Sequence, residues 1–413
     1  MTHHRTASRT SPRRWSRPRI LGAGLLLVAI VGAVVVAVGI ARPGDADRPG
    51  RLAAGSRVGY HDPFDTRRPE NIDPMWSHDF SADPTAMLVN DADTFVVTPT
   101  AVTALATASG EVRWQADVKD AEPYLAVDAT SVAVGAVDGF ELLDRASGAS
   151  RWRAEISDPT DRARAVAIVG GERAGVVVGA TDHNGLVGFD AATGALRWTS
   201  PASLPPRGRL VTDAATGSVV VVNSTDHAAQ LRVLDAGTGA LRWSTNLDRD
   251  TGIPMIVGTT LLVATGDGDS GVLRSFSVAD GRSRWERPLR TGAEATTGLI
   301  QVAEDVVAVD SSGMVFSVAV STGALHWRTE LPGPVLADSP VVVDDVLVVH
   351  DLFAKVHTLD PRTGRLLGSR QSVGAPVALG AGVHRVVYAQ AEVQYGQVIA
   401  YAPGLLRRPV GSK

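Results

Sequence analysis

Apolar residues fall into two kinds of run along this chain. One is a single segment, Ile20 to Ala41 (ILGAGLLLVAIVGAVVVAVGIA), 22 residues without a charged side chain. The others are short and recur: Phe95-Val-Val, Ser131-Val-Ala-Val, Val176-Val-Val, Val219-Val-Val-Val, Leu261-Leu-Val-Ala, Val306-Val-Ala-Val, Val346-Leu-Val-Val and Val386-Val-Tyr. Turn residues stand just before them, as at Asn90-Asp91, Gly170-Gly171, Asp213 to Gly217, Gly258, Asp344-Asp345 and Gly380 to Gly382. Runs this short and β-branched, bounded in this way, predict strands buried on both faces; no unit carries a long stretch of helical period.

A phrase follows each run: a strand, often Asp, then Thr/Ser-Gly, two residues, and Arg-Trp. It reads LATASGEVRW (105–114), LLDRASGASRW (142–152), GFDAATGALRW (188–198), VLDAGTGALRW (233–243), FSVADGRSRW (276–285) and VAVSTGALHW (318–327). A seventh copy, TLDPRTGRLLG (358–368), lacks the Trp, and YAPG (401–404) is truncated. Its glycines, Gly110, Gly148, Gly194, Gly239, Gly281, Gly323, Gly364 and Gly404, are 38 to 46 residues apart. That is the period of a propeller blade. Four strands fit each unit; in the third they fall at Val166–Val169, Val176–Ala180, Leu186–Asp190 and Leu196–Ser200. Sheets apolar on both faces bury them by packing radially. The chain is therefore predicted to be all-β, an eight-bladed β-propeller of four-stranded antiparallel blades over residues 75–413. Trp76 to Phe80 would serve as the fourth strand of the last blade, beside Gly396 to Tyr401. Glycine supplies the positive φ of the third-to-fourth-strand turn. Trp76, Trp114, Trp152, Trp198, Trp243, Trp285 and Trp327 would fill the gaps between blades. The Arg before each Trp would point the other way and place a charge on the outer edge.

The phrase Leu-Asp-Ala-x-Thr-Gly-x-x-x-Trp, clearest at Leu234–Trp243 and Phe189–Trp198, resembles the pyrroloquinoline-quinone (PQQ)-like propeller repeat with its tryptophan-docking motif. The resemblance spans nearly all of residues 75–404. It implies one of two branches: quinoprotein alcohol dehydrogenases, which hold PQQ and calcium over the axis, or non-catalytic propellers that bind partner proteins, such as the barrel-assembly lipoprotein of Gram-negative outer membranes. The first branch implies a vicinal cysteine disulfide and a Glu/Asn/Asp calcium set. This chain has no cysteine and no such set is found in it, so neither PQQ nor calcium is expected and the non-catalytic branch is the closer match.

The long apolar segment reaches about 33 Å as a helix, enough for a bilayer core of ~30 Å. Arg5, Arg9, Arg13, Arg14, Arg17 and Arg19 precede it, whereas Asp45 and Asp47 lie among the arginines that follow. Positive-inside reasoning gives a basic cytoplasmic tail (1–19), a transmembrane signal anchor (20–41), a Pro/Gly-rich stalk (42–74) and an extracytoplasmic propeller at the plasma membrane. The competing reading is a cleaved signal peptide ending at Ala37-Val-Gly39 or Gly39-Ile-Ala41. Of the formal charge of −4, six positive charges precede Ala41, leaving −10 on the remainder. Nucleic acid is thereby disfavoured as a partner. The Arg-rich, Lys-poor composition fits a bacterial source.

Motifs that carry chemistry in other proteins read as turns in this chain. Gly268-Asp-Ser270-Gly271 copies a serine-protease tetrapeptide, and Asp267, Asp269 and Gly271 mimic the start of a calcium loop without its terminal Glu. The connections between second and third strands contribute Asp138, Asp182, His183, Asp226, His227, Asp267, Asp269, Asp310, His350, Asp351 and Glu392. Together they form a candidate acidic, histidine-bearing face for a cation or a basic partner surface. The competing reading is hairpin geometry, as at Asp138-Gly139. The function expected is a non-catalytic protein-binding scaffold of the cell envelope. The alternatives are a PQQ- or metal-dependent oxidoreductase and a small-ligand or glycan receptor using Tyr124, Tyr388, Tyr395 and Tyr401.

Overall fold

Every regular element that the computed structural model describes is a β-strand. It describes residues 75–401 except 157, 159, 171–174, 184, 203, 205–207, 225–228, 248–249, 267–270, 290–297, 311, 336–339, 352–354, 372–375, 383–384 and 391–395. All of these belong to the second of the chain's two compact units, Asp62–Lys413. The predicted tail, transmembrane segment and stalk lie outside the described residues. No helix among the described residues is long and apolar enough to cross a membrane.

The strands form eight sheets, taken here as blades in chain order. Blade 1 comprises Ala86–Val89, Asp93–Thr98, Ala101–Ala106 and Val112–Asp117; blade 2, Ala121–Val127, Ser131–Ala136, Gly139–Asp144 and Ser150–Glu155. Blade 3 runs through Ala163–Val169, Val176–Thr181, Leu186–Asp190 and Leu196–Ser200, and blade 4 through Arg209–Asp213, Ser218–Ser224, Ala229–Asp235 and Leu241–Leu247. In blade 5 the first strand is split, Asp250–Thr251 and Met255–Val257, before Thr260–Gly266, Gly271–Ser277 and Ser283–Leu289. Blade 6 is Gly298–Val302, Asp305–Val309, Met314–Ala319 and Leu325–Glu330; blade 7 is Val341–Val343, Val346–His350, Lys355–Leu359 and Leu366–Gln371. Blade 8 takes Pro376–Gly382, Arg385–Gln390 and Gly396–Tyr401, and its fourth strand is Trp76–Phe80. That strand pairs antiparallel from Trp76 opposite Ala400 to Phe80 opposite Gly396.

Second and third strands are almost wholly buried, whereas fourth strands alternate exposed and part-buried positions. The core is divided into eight apolar clusters, one between each neighbouring pair of blades. The cluster of Trp76, Phe80, Val96, Leu105, Val398 and Ala400 joins blade 8 to blade 1, so the ring is closed. A blade presents apolar residues on both faces and only neighbours can cover them, which is why the repeat needs the ring.

One device recurs at the joints. Each indole on a fourth strand donates its Nε1–H to a backbone carbonyl in the third-to-fourth-strand turn of the next blade, at 2.7–3.1 Å. The acceptors, from Trp76 to Trp327, are Thr107, Arg145, Ala191, Ala236, Val278, Val320 and Pro361. The ring lies against that turn's glycine. Gly110, Gly148, Gly194, Gly239, Gly281, Gly323 and Gly364 all have φ of 67–74°, and a Cβ on any of them would come within 2.8 Å of a ring carbon. Glycine is thus required twice, for the left-handed backbone and for the space. The Asp that opens the turn shapes it: Asp190 Oδ1 accepts the amides of Ala192 and Thr193 and the Thr193 hydroxyl, at 2.9–3.0 Å. Asp144 and Asp235 do the same in blades 2 and 4.

The Arg before the Trp differs from expectation. A β-bulge skips it, so that Val233 pairs with Trp243 and Leu234 with Leu241, leaving Arg242 unpaired in the ladder. Freed from strict alternation, the guanidinium turns back to its own blade's Asp. Arg151–Asp144, Arg197–Asp190 and Arg242–Asp235 are ion pairs of 2.5–2.8 Å. These arginines brace the turn rather than stand as unpaired charges on the edge. Blade 7 departs from the pattern: Gly368 sits opposite Thr358, where other blades place Trp. The contact of blades 7 and 8 is made instead by Val343, Val346, Val348, Val356, Ile399 and Tyr401.

Replacing Trp198 by Ala removes a buried ring and its hydrogen bond to Ala236, and is expected to cost about 3–5 kcal/mol in denaturant unfolding. Gly239→Ala, which adds one methyl on the other side of the same joint, should destabilise in the same direction. Asp144 and Asp190 are each held at about 2, against an ordinary 3.8, chiefly by hydrogen bonds from Arg151 and Arg197 and then from Ser147 and Thr193. A depressed carboxylate adds stability that is complete above pH 3.8 and is lost as the pH falls toward 2. Melting followed by circular dichroism should show a drop in that window, reduced in Asp144→Asn/Asp190→Asn and weakened by salt because these pairs are partly exposed.

Candidate partner-binding face

First-to-second and third-to-fourth-strand turns lie at one end of the ring; second-to-third connections and the crossovers between blades lie at the other. The predicted acidic face belongs to the second end. Asp138 follows strand Ser131–Ala136, and its carboxylate, 53 % exposed, is paired with Arg153, which also donates to Glu141 Oε2 at 3.1 Å. Asp182 follows strand Val176–Thr181 and is gripped by both Nε and Nη2 of Arg164, the latter at 2.8 Å from Oδ2. Arg164 also hydrogen bonds the Tyr124 hydroxyl, and the Asp182 contact holds its guanidinium still more firmly protonated than usual. The His183 side chain is 62 % exposed, while its amide donates to Oδ1 of buried Asp161 at 2.9 Å. Blades 2 and 3 therefore bring Asp138, Asp182 and His183 to one end.

Three of the predicted residues are not on the surface. Asp310 is 2 % exposed and folds its own turn, with Oδ1 accepting the Ser312 and Met314 amides and the Ser312 hydroxyl. His350 and Asp351 are buried in blade 7. His350 Nδ1–H donates to the Asp351 carbonyl at 2.7 Å, and burial lowers its pKa to about 4, so the ring is neutral. Asp351 Oδ1 accepts the Lys355 amide at 2.6 Å, and Oδ2 accepts Nε2–H of His357 at 3.3 Å; His357 Nδ1 in turn accepts the Ser369 hydroxyl at 2.8 Å. These three are thus corrected from face residues to internal polar ties, because a carboxylate that caps its own turn is drawn under it. Asp226, His227, Asp267, Asp269 and Glu392 lie outside the described residues.

Sequence reasoning missed Arg153, Arg164, Asp161, His357 and Ser369. Ser369, His357 and Asp351 have the residue types of a hydrolytic triad. Here His357 is fully buried, and the set links three strands of blade 7. Of the tyrosines considered for a ligand mouth, Tyr124 and Tyr401 are described with their side chains. Tyr124 packs against the cluster between blades 2 and 3, and Tyr401 is buried between blades 7 and 8; Tyr388 lies on strand Arg385–Gln390 and Tyr395 is outside the described residues. Among the described residues no group of three or more His, Asp or Glu side chains is arranged to hold a metal. The chain has no cysteine to form a vicinal disulfide.

A closed ring of eight four-stranded sheets, clasped through Trp and Thr/Ser-Gly, defines the PQQ-like class of β-propeller. The family described as outer membrane protein assembly factor BamB matches residues 139–299 and 269–404, and the chain belongs to it. A BamB of Shewanella oneidensis is 28 % identical over 210 residues, covering 48 % of this chain and 51 % of that protein. One of Legionella pneumophila is 30 % identical over 122 residues, covering 29 % of this chain and 30 % of that protein. The chain thus spans about half the length, or less, of these curated relatives. Among solved structures, BamB from Moraxella catarrhalis has a TM-score of 0.61 at 20 % identity, over 80 % of this chain and 97 % of that one. The quinohemoprotein alcohol dehydrogenase ADHIIG of Pseudomonas putida HK5 has a TM-score of 0.57 at 11 % identity, over 83 % of this chain and 78 % of that one. Both likenesses establish the fold.

Burial of neutral His350 has a measurable consequence. Between pH 6.5 and about 4 the unfolded chain takes up a proton that the folded blade refuses, so stability should fall as the pH falls through this window. In His350→Gln that slope should flatten in chemical denaturation series.

Proposed function

We propose that this protein is a membrane-anchored, extracytoplasmic propeller that acts as a non-catalytic protein-binding scaffold in the cell envelope. The observation that carries this reading is membership of the BamB family over residues 139–404. A ring locked by seven indole clasps supports it, because a rigid platform binds without a large ordering cost. The apolar segment 20–41 and the arginines before it support the anchor. On the face itself, Asp138 and His183 are the predicted residues that combine exposure with a fixed backbone, and they are the contacts assigned to a partner. Asp182 positions Arg164 and Tyr124 beneath them.

Crosslinking in intact cells, followed by identification of what is captured, tests the reading. Asp138→Ala combined with His183→Ala should cut capture of a specific envelope protein by about tenfold, in line with the ~1–2 kcal/mol of two partly exposed contacts, at an unchanged melting temperature. Undiminished capture by the folded double variant would remove this face from the account.

A further inference from the structure

Large exposed apolar side chains recur at equivalent positions among the described residues. Among the described residues they are Met75, Val112, Leu196, Leu241, Leu325 and Leu366, between 42 % and 58 % exposed. Every one of them is at the turn end of the ring, opposite the acidic face. Val112, Leu196, Leu241, Leu325 and Leu366 hold the same place in blades 1, 3, 4, 6 and 7, the first residue of the fourth strand. Equivalent positions of a closed repeat lie at one level, so these side chains form a ring. Met75 immediately precedes the fourth strand of blade 8, where its amide bonds the Ala400 carbonyl, and so joins the same rim. Singly exposed apolar residues are ordinary; a series of them at equivalent positions of a repeat is not.

Many of the arginines beside them are paired within the protein, while Asp91, Glu111 and Glu304 add exposed negative charge to the same end. Arg113 and Arg145 pair with Asp93, and Arg151, Arg197 and Arg242 pair with the turn aspartates. His326 contacts Asp305, and Arg282 and Arg362 meet Asp280 and Asp345. A paired arginine loses less on leaving water than an unpaired one. The remaining turn residues are mostly small, as in Ala-Ala-Thr-Gly-Ala (191–195) and Ala-Gly-Thr-Gly-Ala (236–240).

The course of the chain selects the occupant. Residues 1–74 precede Met75 in sequence and include the 22-residue apolar run Ile20–Ala41, and Met75 itself is on this rim. We infer that the turn end of the propeller is a docking surface for a lipid bilayer, with Val112, Leu196, Leu241, Leu325, Leu366 and Met75 entering the headgroup region. This rests on the anchor proposed above. It leaves the opposite, acidic end facing away from the membrane and open to a protein partner, which is the orientation a scaffold requires. Shallow insertion of separated apolar side chains gives a weak contact that tethering makes effective.

Because the chain lacks cysteine, one introduced thiol labels one site. The full chain is incorporated into phosphatidylethanolamine/phosphatidylglycerol vesicles containing doxyl-labelled lipid, with a nitrobenzoxadiazole probe on Leu241→Cys or, separately, on His183→Cys. Quenching should be at least about threefold stronger at 241 than at 183, and Leu196→Ser with Leu325→Ser should reduce it at 241. Equal quenching at the two sites, or none at 241, would overturn the surface, as would shielding of 241 by a protein alone. Alkaline extraction reports separately on the anchor. A chain that resists extraction but shows no quenching at 241 removes the docking surface alone; a chain that is extracted yet quenched there removes the anchor alone.

Discussion

An indole seated on a glycine is the contact on which the rest of this structure depends. A blade in isolation would leave both apolar faces in water, and the strand ladder of each described sheet ends within its own blade. The joints are therefore held by packing, and packing is fixed in register by the one polar group the indole owns. Its N–H must be satisfied when buried, and the carbonyl that satisfies it belongs to the neighbouring turn. The glycine makes that turn possible and leaves room for the ring. Tryptophan and glycine thus recur in the sequence at one period because each is half of a contact completed by the next blade.

The same turn organises the two ends of the molecule. In blades 2, 3 and 4 an aspartate caps it and an arginine released by the bulge clamps the aspartate. The apolar residue that begins the fourth strand in blades 1, 3, 4, 6 and 7 is left exposed there. At the other end, connections of unequal length carry Asp138, Asp182 and His183 with their arginine partners. One end of the ring is uniform because it holds the clasps. The other varies from blade to blade.

Most of the architecture was legible because the signal repeats. Turn residues, β-branched runs and a Trp at constant offset fixed the blade count, the four strands of blade 3 to within a few residues, and closure through Trp76 to Phe80 beside Gly396 to Tyr401. Local pattern failed where geometry departs from ideal alternation. Arg151, Arg197 and Arg242 were assigned to the outer edge on a period of two, and a bulge at each Trp breaks that period. Residue type failed for the face, since Asp is chosen equally for capping a turn and for meeting a partner. Asp310 and Asp351 do the former and Asp138 remains available for the latter. His357 and Ser369 carry no sequence signal at all, being ordinary strand residues until the fold places them beside Asp351.

Gly368 in place of a tryptophan leaves the boundary of blades 7 and 8 as the joint without an indole clasp, held by aliphatic residues and Tyr401. If the clasp is what fixes each joint, the ring should loosen there first. Hydrogen exchange of the intact protein, resolved blade by blade under native conditions, measures this directly. The account predicts that amides of Leu366–Gln371 and Arg385–Gln390 exchange well before those of Val176–Thr181 and Ser218–Ser224. Earliest exchange at a clasped joint, such as that of blades 3 and 4, would contradict it.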